Sequence, residues 1–404
     1  MNLILFDNQH NAAMLPLTFT RPQAALRCGI LTIKEKWELH LGRSAGYLTS
    51  VELSAKYGGE LAEDNLFVSA SLLPANNLVD EVSALGFNEA LVKEGLLLAV
   101  RSSKDFTSEI IEGKTSSFNI KEYDGEIKYL DKIFRLLPYN QDEIRNDFEL
   151  ITRGRRSQPL SDTVNVVGLN KNPQLIDQIF IEEGASVEYA YLNPQSGPIY
   201  IGKNAVVMEG AMLRGPIALC ESSQISMGAK IYPGATIGPW SKVGGEMSNS
   251  IITGYSNKVH DGYLGDSIIG EWCNLGADTN TSNLKNDYAL VKLWDYETER
   301  FQKTDLQFCG LVMGDYSRCA INTAFNSGTV VGVGSNLFGS GFPRNFVPSF
   351  VIGGPQGYRI NGLKAVENVA TIAMGRRNVS FTDTDRSILK TVFNDTIKFR
   401  SALR

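Results

Sequence analysis

The stretch IGKNAVVMEGAMLRGPIALCESSQISMGAKIYPGATIGPWSKV, residues 201–243, carries an aliphatic side chain at every sixth position. These positions are Ile201, Val207, Leu213, Leu219, Ile225, Ile231, Ile237 and Val243. A small residue follows most of them four positions later, as at Ala205, Ala211 and Ser223. A period of six fits neither an α-helix nor a simple alternating strand. It predicts a coil with three short faces, in which each face turns one aliphatic side chain inward and a small residue lies near each corner.

The same spacing recurs elsewhere in the chain. The further positions are Ile181, Val187, Ile269, Leu275, Met313, Cys319, Phe325, Val331 and Leu337. The spacing is interrupted at residues 244–268 and again at residues 282–312. Insertions in a stacked coil become loops that leave the stack, often on its binding face. We therefore expect both interruptions to be loops, and we expect the charged and aromatic segment 283–308 to project outward.

The segment NKVHDGYLGDSIIGEWCNLGADTNTSNL, residues 257–284, lies between the centres of the two interruptions. It contains His260, and an imidazole can take a proton from an amine or hydroxyl as that group attacks a carbonyl. The backbone at Gly276 and Ala277 offers N–H donors for the oxyanion that develops in such an attack. The alternative is that His260 is an exposed turn residue with no catalytic part.

The same segment holds polar side chains suited to a phosphorylated sugar. Tyr263, Asn274 and Asn283 can hydrogen-bond a polyhydroxylated substrate, while Lys258 and Lys285 can meet a phosphate. The alternative for Asn274 is that it caps a corner of the coil.

The repeat and this segment together resemble the hexapeptide-repeat acyltransferases. The resemblance is strongest to the acetyltransferase domain of the bifunctional glucosamine-1-phosphate N-acetyltransferase and N-acetylglucosamine-1-phosphate uridylyltransferase family, in its archaeal-type form. The repeat pattern matches over about residues 182–354. The resemblance implies a left-handed parallel β-helix and acetyl transfer from acetyl-CoA to glucosamine 1-phosphate, for UDP-N-acetylglucosamine synthesis. It also implies a homotrimer with acetyl-CoA bound between neighbouring subunits.

The family's motifs fall on particular residues of this chain. In its H-x-x-Y-x-G-D run the histidine is the catalytic base, which corresponds to His260, and the tyrosine corresponds to Tyr263. The asparagine and alanine of its N-[IL]-G-A-G run correspond to Asn274 and Ala277, where the family positions the sugar and binds the thioester region.

A further asparagine of the family corresponds to Asn283, with Lys285 two residues later. The chain departs from the family at Asp278, where a glycine is usual, and at Tyr232, where an arginine is usual. A downstream family lysine falls near Ser248. These departures affect the groups that would hold the sugar phosphate.

Residues up to about 165 lack the six-residue spacing. Strands are predicted at LILF (3–6) and NLFVSASLL (65–73), and helices at GILTIKEKWELHL (29–41) and LVDEVSAL (78–85). This alternation predicts an α/β layer domain.

The stretch LPLTFTRPQAALRCG, residues 15–29, resembles the P-L-T-x-x-x-P-K region of the sugar-nucleotide pyrophosphorylases. The resemblance implies a shortened nucleotidyltransferase-like domain. Gln9 and Asn11 stand where that family has glycines, whose backbone N–H groups approach the nucleotide phosphates. The motif is therefore degenerate.

Thr18, Arg21 and Arg27 are the candidates for contact with a nucleotide. If the domain is active, it would use UTP or another nucleoside triphosphate, with Mg²⁺ stabilising the transferring phosphate. The alternative is that this chemistry has been lost.

We predict three segments: an α/β nucleotidyltransferase-like domain at 1–165, a β-helix acetyltransferase domain at 175–354 and a C-terminal helical segment at 355–404. In the last segment an amphipathic helix begins at Thr382 or Asp383 and would cap the coil or contact another subunit. Arg153, Arg155 and Arg156, between the first two segments, form either a basic linker or part of a phosphate site.

Composition excludes several classes of function. The net charge is −5 and no long basic tract occurs, which argues against a nucleic-acid partner. No apolar stretch is long enough to cross a membrane. The five scattered cysteines lack a C-x-x-C pair, as expected of reduced thiols. We therefore expect a cytoplasmic protein, whose first apolar run is a strand rather than a signal peptide.

Three functions remain open. The first is acetyl transfer to an amino-sugar 1-phosphate, with nucleotidyl transfer as a possible second activity. The second is a sugar-1-phosphate nucleotidyltransferase whose β-helix is mainly structural. The third is a non-catalytic protein that binds sugar phosphates.

Overall fold

The computed structural model describes residues 1–401, apart from the side chains of Gln9 and His10. Contacts divide the described chain into two units. The first unit contains Met1–Leu26 and Leu31–Arg135, and the second contains Arg27–Ile30 and the chain from Leu136 onward.

The first unit is built on a six-stranded sheet with the order β2-β1-β3-β6-β5-β7. Its elements are β1 (Asn2–Phe6), α1 (Ile33–Leu41), β2 (Ala45–Leu48), α2 (Val51–Ser54), β3 (Asn65–Ser69), β4 (Leu72–Leu73), α3 (Asn76–Ser83), β5 (Glu89–Lys93), β6 (Leu96–Ser102), α4 (Thr107–Ile111), β7 (Asn119–Glu122) and β8 (Lys128–Tyr129). β1 runs parallel to both β2 and β3, so the carboxyl ends of these three strands lie at one edge of the sheet. The α/β prediction is confirmed, including both predicted helices.

The second unit is a left-handed parallel β-helix that ends in helices. It begins with α5 (Leu136–Thr152). Its strands up to the second interruption are β9 (Asn165–Val166), β10 (Ile179–Ile181), β11 (Ser186–Val187), β12 (Tyr191–Asn193), β13 (Ile199–Ile201), β14 (Val206–Val207), β15 (Met212–Arg214), β16 (Ile217–Leu219), β17 (Gln224–Ile225), β18 (Lys230–Ile231), β19 (Ala235–Ile237), β20 (Lys242–Val243), β21 (Glu246–Ser248), β22 (Ile251–Gly254), β23 (Asn257–Lys258), β24 (Tyr263–Gly265), β25 (Ile268–Glu271), β26 (Asn274–Leu275) and β27 (Asn280–Thr281). The remaining elements are β28 (Lys292–Asp295), β29 (Arg300–Lys303), β30 (Leu311–Met313), β31 (Arg318–Cys319), β32 (Ala324–Phe325), β33 (Thr329–Val331), β34 (Asn336–Leu337), β35 (Phe346–Val347), β36 (Val351–Gly354), β37 (Gly357–Ile360), α6 (Leu363–Gly375), α7 (Asp383–Asp395) and α8 (Ile397–Ser401).

The coil has three faces, each a parallel sheet. The first face runs from β10 through β13, β16, β19, β22, β25, β30 and β33 to β35. The second face runs from β11 through β14, β17, β20, β23, β26, β31 and β34 to β36, where β37 turns back antiparallel. The third face joins β9, β12, β15, β18, β21 and β24, and the pair β27–β32 follows them along the chain.

Every aliphatic residue of the six-residue pattern is buried in one core that runs along the coil. Ile201, Ile225 and Ile237 are completely buried, as are the small corner residues Ala205 and Ala229. Full burial of an aliphatic side chain stabilises a fold by about 1.5–3 kcal/mol, so the stack of inward residues supplies the main cohesion of the coil. The repeat-based prediction of the fold is confirmed.

The interruption before His260 is not an insertion, contrary to our expectation. Ile231 pairs with Met247 and Met247 with Leu264, so successive third-face positions are 16 and 17 residues apart instead of the 18 that separate Leu213 from Ile231. The coil is therefore continuous here and has shorter corners. The regular spacing is lost because residues are missing, and no loop leaves the stack.

The second interruption also differs from the expectation. β28 and β29 form an antiparallel hairpin with an exposed turn at 297–299, but Leu293 on β28 and Tyr296 at the start of the turn are buried. The Trp294 ring stacks on Phe346 of β35 with 4.1 Å between the ring centres. Aromatic burial thus folds this segment back onto the coil instead of projecting it outward.

A row of aromatic residues occupies the corner between the first and second faces. These residues, all with positive φ, are Trp240, Tyr255, Trp272, Tyr316 and Phe350. The C-terminal helices pack against this corner: the Tyr316 hydroxyl donates a hydrogen bond to the Met374 Sδ of α6, and Phe350 contacts Phe393 of α7 at 5.1 Å between ring centres.

α7 begins as predicted. The Thr382 Oγ1 accepts a hydrogen bond from the Asp385 N–H, and the Asp385 carboxylate accepts one from the Thr382 N–H. This reciprocal arrangement is a capping box. Ile388, Leu389 and Val392 are buried, so the amphipathic face lies against the coil end. No helix of the described residues is long and apolar enough to cross a membrane.

The contacts place the boundary between the units earlier than residue 165. The Asn140 amide of α5 donates to the Gly234 carbonyl and to Thr236 Oγ1, and its oxygen accepts from the Gly29 N–H. These bonds group α5 and Arg27–Ile30 with the coil. The other predicted limits, at residues 175, 354 and 355, stay predictions.

Arg155, in the predicted linker, is occupied by structural contacts. Its guanidinium donates to both carboxylate oxygens of Glu182 at 2.9 and 2.6 Å and lies over the Phe180 ring. These contacts favour the linker interpretation for Arg155 over a phosphate site.

Candidate functional site

The predicted site residues of the coil lie around one corner, the one that follows β23 and β26 and leads from the second face to the third. Corners of successive coils stack here: the Asp278 N–H donates to the Asp261 carbonyl at 3.0 Å, and the Asn322 N–H donates to the Ala277 carbonyl at 2.8 Å. His260 and Ala277 therefore lie on stacked corners. The His260 side chain is exposed, and among the described residues no hydrogen bond to its imidazole occurs. A base with this exposure is open to a substrate.

Lys258, predicted to contact a phosphate, points into the core of the coil. It occupies the inward position between Val243 of the preceding coil and Leu275 of the next, and it is 1% exposed. Its ammonium donates to the carbonyls of His260 at 2.6 Å and Asp261 at 2.9 Å. Burial lowers the pKa of Lys258 to about 8. This geometry does not support contact with a phosphate, because the lysine is buried and its ammonium is bound to two carbonyls of the His260 corner.

Tyr263 and Asn283 belong to one polar network on the third-face side of the corner. The Asn283 amide donates to the Tyr263 hydroxyl at 3.1 Å and to the Asp266 carboxylate at 2.6 Å. The Asn249 amide donates to the other oxygen of Asp266 at 2.7 Å. Burial raises the pKa of the Asp266 carboxyl and of the Tyr263 hydroxyl. The network fixes three side chains that can hydrogen-bond a sugar.

Asn274 lies apart from this network. It pairs with Asn257 before it and Arg318 after it on the second face, and its side chain lines a cavity on the outer side of that face. Lys285 forms an ion pair with Asp287 at 3.2 Å near the surface. The structure therefore brings His260 and Ala277 together, joins Tyr263 with Asn283, and gives Asn274 and Lys285 separate surroundings.

The three candidates for nucleotide contact are divided between the two units. Thr18 and Arg21 are buried in the first unit, where the Thr18 hydroxyl donates to the Asn11 carbonyl at 2.9 Å. Arg27 belongs to the second unit and its guanidinium donates to the Ile30 carbonyl. A contact between Arg27 and a nucleotide stays a prediction.

A buried polar cluster that the motif search missed lies at the carboxyl ends of β1, β2 and β3. The Asp7 carboxylate accepts hydrogen bonds from the Thr49 hydroxyl at 2.5 Å and the Gln23 N–H at 2.9 Å. Burial raises the pKa of Asp7 to about 6. The neighbouring Asn8 amide donates to Ser69 Oγ at 2.9 Å and to the Tyr129 hydroxyl at 2.6 Å.

Ligands of open α/β sheets bind at this edge of the strands. The signal in the sequence was a polar pair directly after a buried strand, which a search for glycine-rich loops does not detect. Asp266 was also missed, although it is the final residue of the H-x-x-Y-x-G-D run.

The sequence model of a family described as sugar nucleotidyl transferase matches residues 3–156. The chain is also similar to curated proteins. The uncharacterized acetyltransferase YaiX of Escherichia coli O6:K15:H31 is 26% identical over 183 residues, which are 45% of this chain and 74% of YaiX. The bifunctional protein GlmU of Methanocaldococcus jannaschii is 39% identical over 93 residues, 23% of this chain and 22% of GlmU.

A longer match is to the bifunctional protein GlmU of Nocardia farcinica, which is 26% identical over 248 residues, 49% of this chain and 46% of that protein. The chain thus spans less than half the length of the GlmU proteins that it matches. Among solved structures, the UDP-N-acetylglucosamine acyltransferase LpxA of Bacteroides fragilis 9343 is 16% identical, with a TM-score of 0.29, over 60% of this chain and 84% of that one.

The nucleotidyl transferase match covers the N-terminal part, and the second unit is a coil with a six-residue repeat. The chain is therefore a transferase that is similar to a sugar nucleotidyl transferase family in residues 3–156, and to an acetyltransferase and to GlmU proteins over the lengths given above.

Proposed function

We propose that the coil transfers an acetyl group from acetyl-CoA to the amine of an amino-sugar 1-phosphate, with glucosamine 1-phosphate as the acceptor. The observation that carries this proposal is the stacked corner that holds an exposed His260 beside the Ala277 backbone. The similarity to curated acetyltransferases supports the same reaction class.

The steps assign a part to each side chain. The His260 imidazole removes a proton from the attacking ammonium, and the amine nitrogen then adds to the thioester carbonyl. A backbone N–H at Ala277 stabilises the oxyanion of the tetrahedral intermediate. The C–S bond then breaks as the amide forms, and the leaving CoA thiolate takes up the second proton that the nitrogen loses. Tyr263, Asn283 and Asn274 hold the sugar, while Lys258 keeps the corner in shape. Lys285 forms an ion pair with Asp287, so its ammonium would have to leave this pair to contact the phosphate of the acceptor.

Release of free thiol from acetyl-CoA in the presence of glucosamine 1-phosphate tests the proposal. His260→Ala is expected to lower kcat by about 10²–10⁴-fold, the usual contribution of a general base. His40→Ala, in the first unit, is the matched control and should retain activity. Asn274→Ala is expected chiefly to raise KM for the sugar, if this residue binds ground and transition states alike.

Near-full activity of His260→Ala would assign His260 to a structural turn. Loss of folding in the same variant would lead to the same assignment, because a catalytic residue with an exposed side chain is expected to contribute little to stability.

A second candidate activity is nucleotidyl transfer in the first unit. The sugar nucleotidyl transferase match and the Asp7 cluster at the carboxyl ends of the strands support it. Mg²⁺ at phosphoryl-transfer sites is held by one or two carboxylates with the substrate phosphates, and Asp7 is a carboxylate suited to that part. Formation of UDP-sugar from UTP and a sugar 1-phosphate with Mg²⁺ measures this activity.

In that assay, Asp7→Asn and Arg21→Ala should abolish turnover if the site is active. Absence of both thiol and pyrophosphate release, with retained binding of sugar phosphates, would instead support the non-catalytic alternative. We also propose a homotrimer, which would place a neighbouring subunit beside the His260 corner.

A further inference from the structure

The outer side of the second face carries a cavity of about 480 Å³ that the motif search did not predict. Its floor is a row of outward side chains on consecutive strands. This row consists of Gln224, Lys242, Asn257, Asn274 and Arg318. α6 forms the wall, with Val369, Ile372 and Ala373 on one stripe of the helix followed by Arg376 and Arg377. A volume of this size suits a small-molecule ligand.

The cavity lining is strongly cationic. It includes Lys242, Arg318, Arg376 and Arg377, and the described residues that line it include no aspartate or glutamate. Burial lowers the pKa of Arg318, and burial together with the neighbouring Arg376 lowers that of Arg377. Both groups remain charged at neutral pH, because the pKa of arginine lies far above 7.

Arg318 is held in this place without a counter-ion. Within the described residues its guanidinium forms neither a hydrogen bond nor an ion pair, and its Nε is buried. Arg377 also has a buried Nε. Among the residues that the structure describes, its guanidinium forms one hydrogen bond, in which Nη2 donates to Asn257 Oδ1 at 3.3 Å. A partly buried and unpaired cation costs stability, so a partner that arrives from outside the chain would relieve this cost.

Capping of α6 does not account for the whole cluster. Arg376 and Arg377 follow the carboxyl end of α6, where cations are favourable in any helix. Arg318 and Lys242 lie on strands of the coil, and no helix end explains them. The convergence of side chains from two strands and one helix on the same cavity points to an anionic ligand.

We propose that this cavity binds the phosphate groups of a substrate of the acetyl transfer, with Arg318 and Arg377 as the principal donors. The identity of the ligand rests on the proposed function, since both glucosamine 1-phosphate and acetyl-CoA contain phosphate esters. Asn274 joins the two sites: its side chain lines the cavity, and Ala277, three residues later, lies on the corner stacked on that of His260.

Binding of inorganic pyrophosphate provides the direct test, with Trp272 in the cavity wall as a fluorescent reporter. Arg318→Gln is expected to weaken binding about tenfold to a hundredfold, the loss typical of one charged hydrogen bond. Arg359→Gln, an exposed arginine on β37, is the matched control and should bind as the wild type does. Arg318→Lys should recover part of the affinity, because it keeps the charge but not the planar donor set.

Thermal unfolding separates a ligand contact from a structural one. Pyrophosphate should raise the Tm of the wild type and leave that of Arg318→Gln unchanged. In phosphate-free buffer Arg318→Gln should be at least as stable as the wild type, since it removes an unpaired charge. Equal pyrophosphate affinity in wild type, Arg318→Gln and Arg377→Gln would overturn the proposal.

The two sources of phosphate are distinguished by matched pairs of ligands. If the sugar phosphate occupies the cavity, Arg318→Gln weakens glucosamine 1-phosphate but not glucosamine; if the acyl donor does, it weakens CoA but not pantetheine. Acetyl transfer with an unchanged KM for both substrates in Arg318→Gln and Arg377→Gln would refute the cavity's part while the proposed function stands. Arg318-dependent pyrophosphate binding without any acetyl transfer would refute the function while the phosphate site stands.

Discussion

At the scale of single residues, Lys258 shows that a charged side chain can occupy an inward position of the coil, where an aliphatic side chain is expected. Its neighbours in register, Val243 and Leu275, are aliphatic core residues. The methylene stem of a lysine can fill such a position while its ammonium reaches polar atoms at the edge. The carbonyls of His260 and Asp261 supply those atoms.

We expect Lys258→Met to lower kcat for acetyl transfer about tenfold to a hundredfold and to leave KM for glucosamine 1-phosphate unchanged. Methionine retains the apolar stem but cannot hold the corner carbonyls, and small displacements of a catalytic group can cost this much. Steady-state kinetics of purified wild type and variant measure the effect. A raised KM with an unchanged kcat would instead restore the predicted contact between Lys258 and the substrate.

Asp7 gives the first unit a defined dependence on pH. Its pKa rises from 3.8 to about 6 on folding, because burial disfavours the charged form. Between these two values the folded chain binds more protons at Asp7 than the unfolded chain does, so the free energy of unfolding falls as the pH rises through this window. The loss amounts to at most about 3 kcal/mol.

Asp7→Asn should remove this dependence. Urea unfolding of wild type and variant at several pH values between 4 and 8 gives the difference in unfolding free energy. We expect the two proteins to be similar near pH 4 and the variant to be relatively more stable above pH 6. A difference that does not change with pH would show that Asp7 titrates at its ordinary value.

The residue scale also shows what the sequence could indicate. The resemblance of the H-x-x-Y-x-G-D and N-x-G-A runs to family motifs indicated His260, Tyr263, Asn274 and Ala277 as site residues. The sequence could not show that Lys258 points inward, since this depends on the register set by the shortened corners. The arginines of the cavity are 59 residues apart along the chain, at positions 318 and 377, and only the packing of α6 on the coil brings them together.

At the scale of elements, the coil could be predicted where an aliphatic residue recurs at every sixth position, one on each face. Each inward aliphatic of residues 201–243 was identified from spacing alone and is buried. Prediction failed at the corners, because a corner that loses one or two residues looks like an insertion when only the spacing is read. Pairing of Met247 with Ile231 and Leu264 shows that hydrogen bonding along the third face tolerates the shorter corners.

Gly244 lies in the corner between β20 and β21, where the turn of the coil is shortest, and this corner requires a glycine. A Cβ at this position would lie 1.9 Å from the Val259 carbonyl oxygen of the next coil. Gly244→Ala must therefore displace the strand that leads to His260, and we expect a loss of about 1–3 kcal/mol in unfolding free energy together with reduced acetyl transfer. Chemical denaturation and kinetics measure both effects.

Gly254→Ala is the matched control, because the nearest atom to its added Cβ, the Pro239 carbonyl oxygen, lies at 3.4 Å. This variant should lose less stability and retain activity. Equal losses in the two variants would mean that the shortened corner has no special dependence on glycine.

At the scale of the whole molecule, the third face has the features of a subunit interface. Outward side chains on its first strands include Tyr191 and Met212, which are 47% and 50% exposed, and Met227 at a nearby corner is 71% exposed. Exposed apolar groups clustered on one face mark interaction surfaces. A flat face that contacts a different surface of an identical chain closes into a ring when the rotation allows it.

We therefore expect a trimer with three times the 44.4 kDa mass of one chain, measured by light scattering at micromolar concentration. Met212→Glu should dissociate it, because a charge buried in an apolar interface lacks a partner. Ile360→Glu, which changes a residue on β37 that is 61% exposed, should leave the assembly intact. If a neighbouring subunit completes the His260 corner, Met212→Glu should also abolish acetyl transfer while pyrophosphate still binds at Arg318. A monomeric wild type would remove the neighbour from the site, and the reaction would then have to proceed within a single coil.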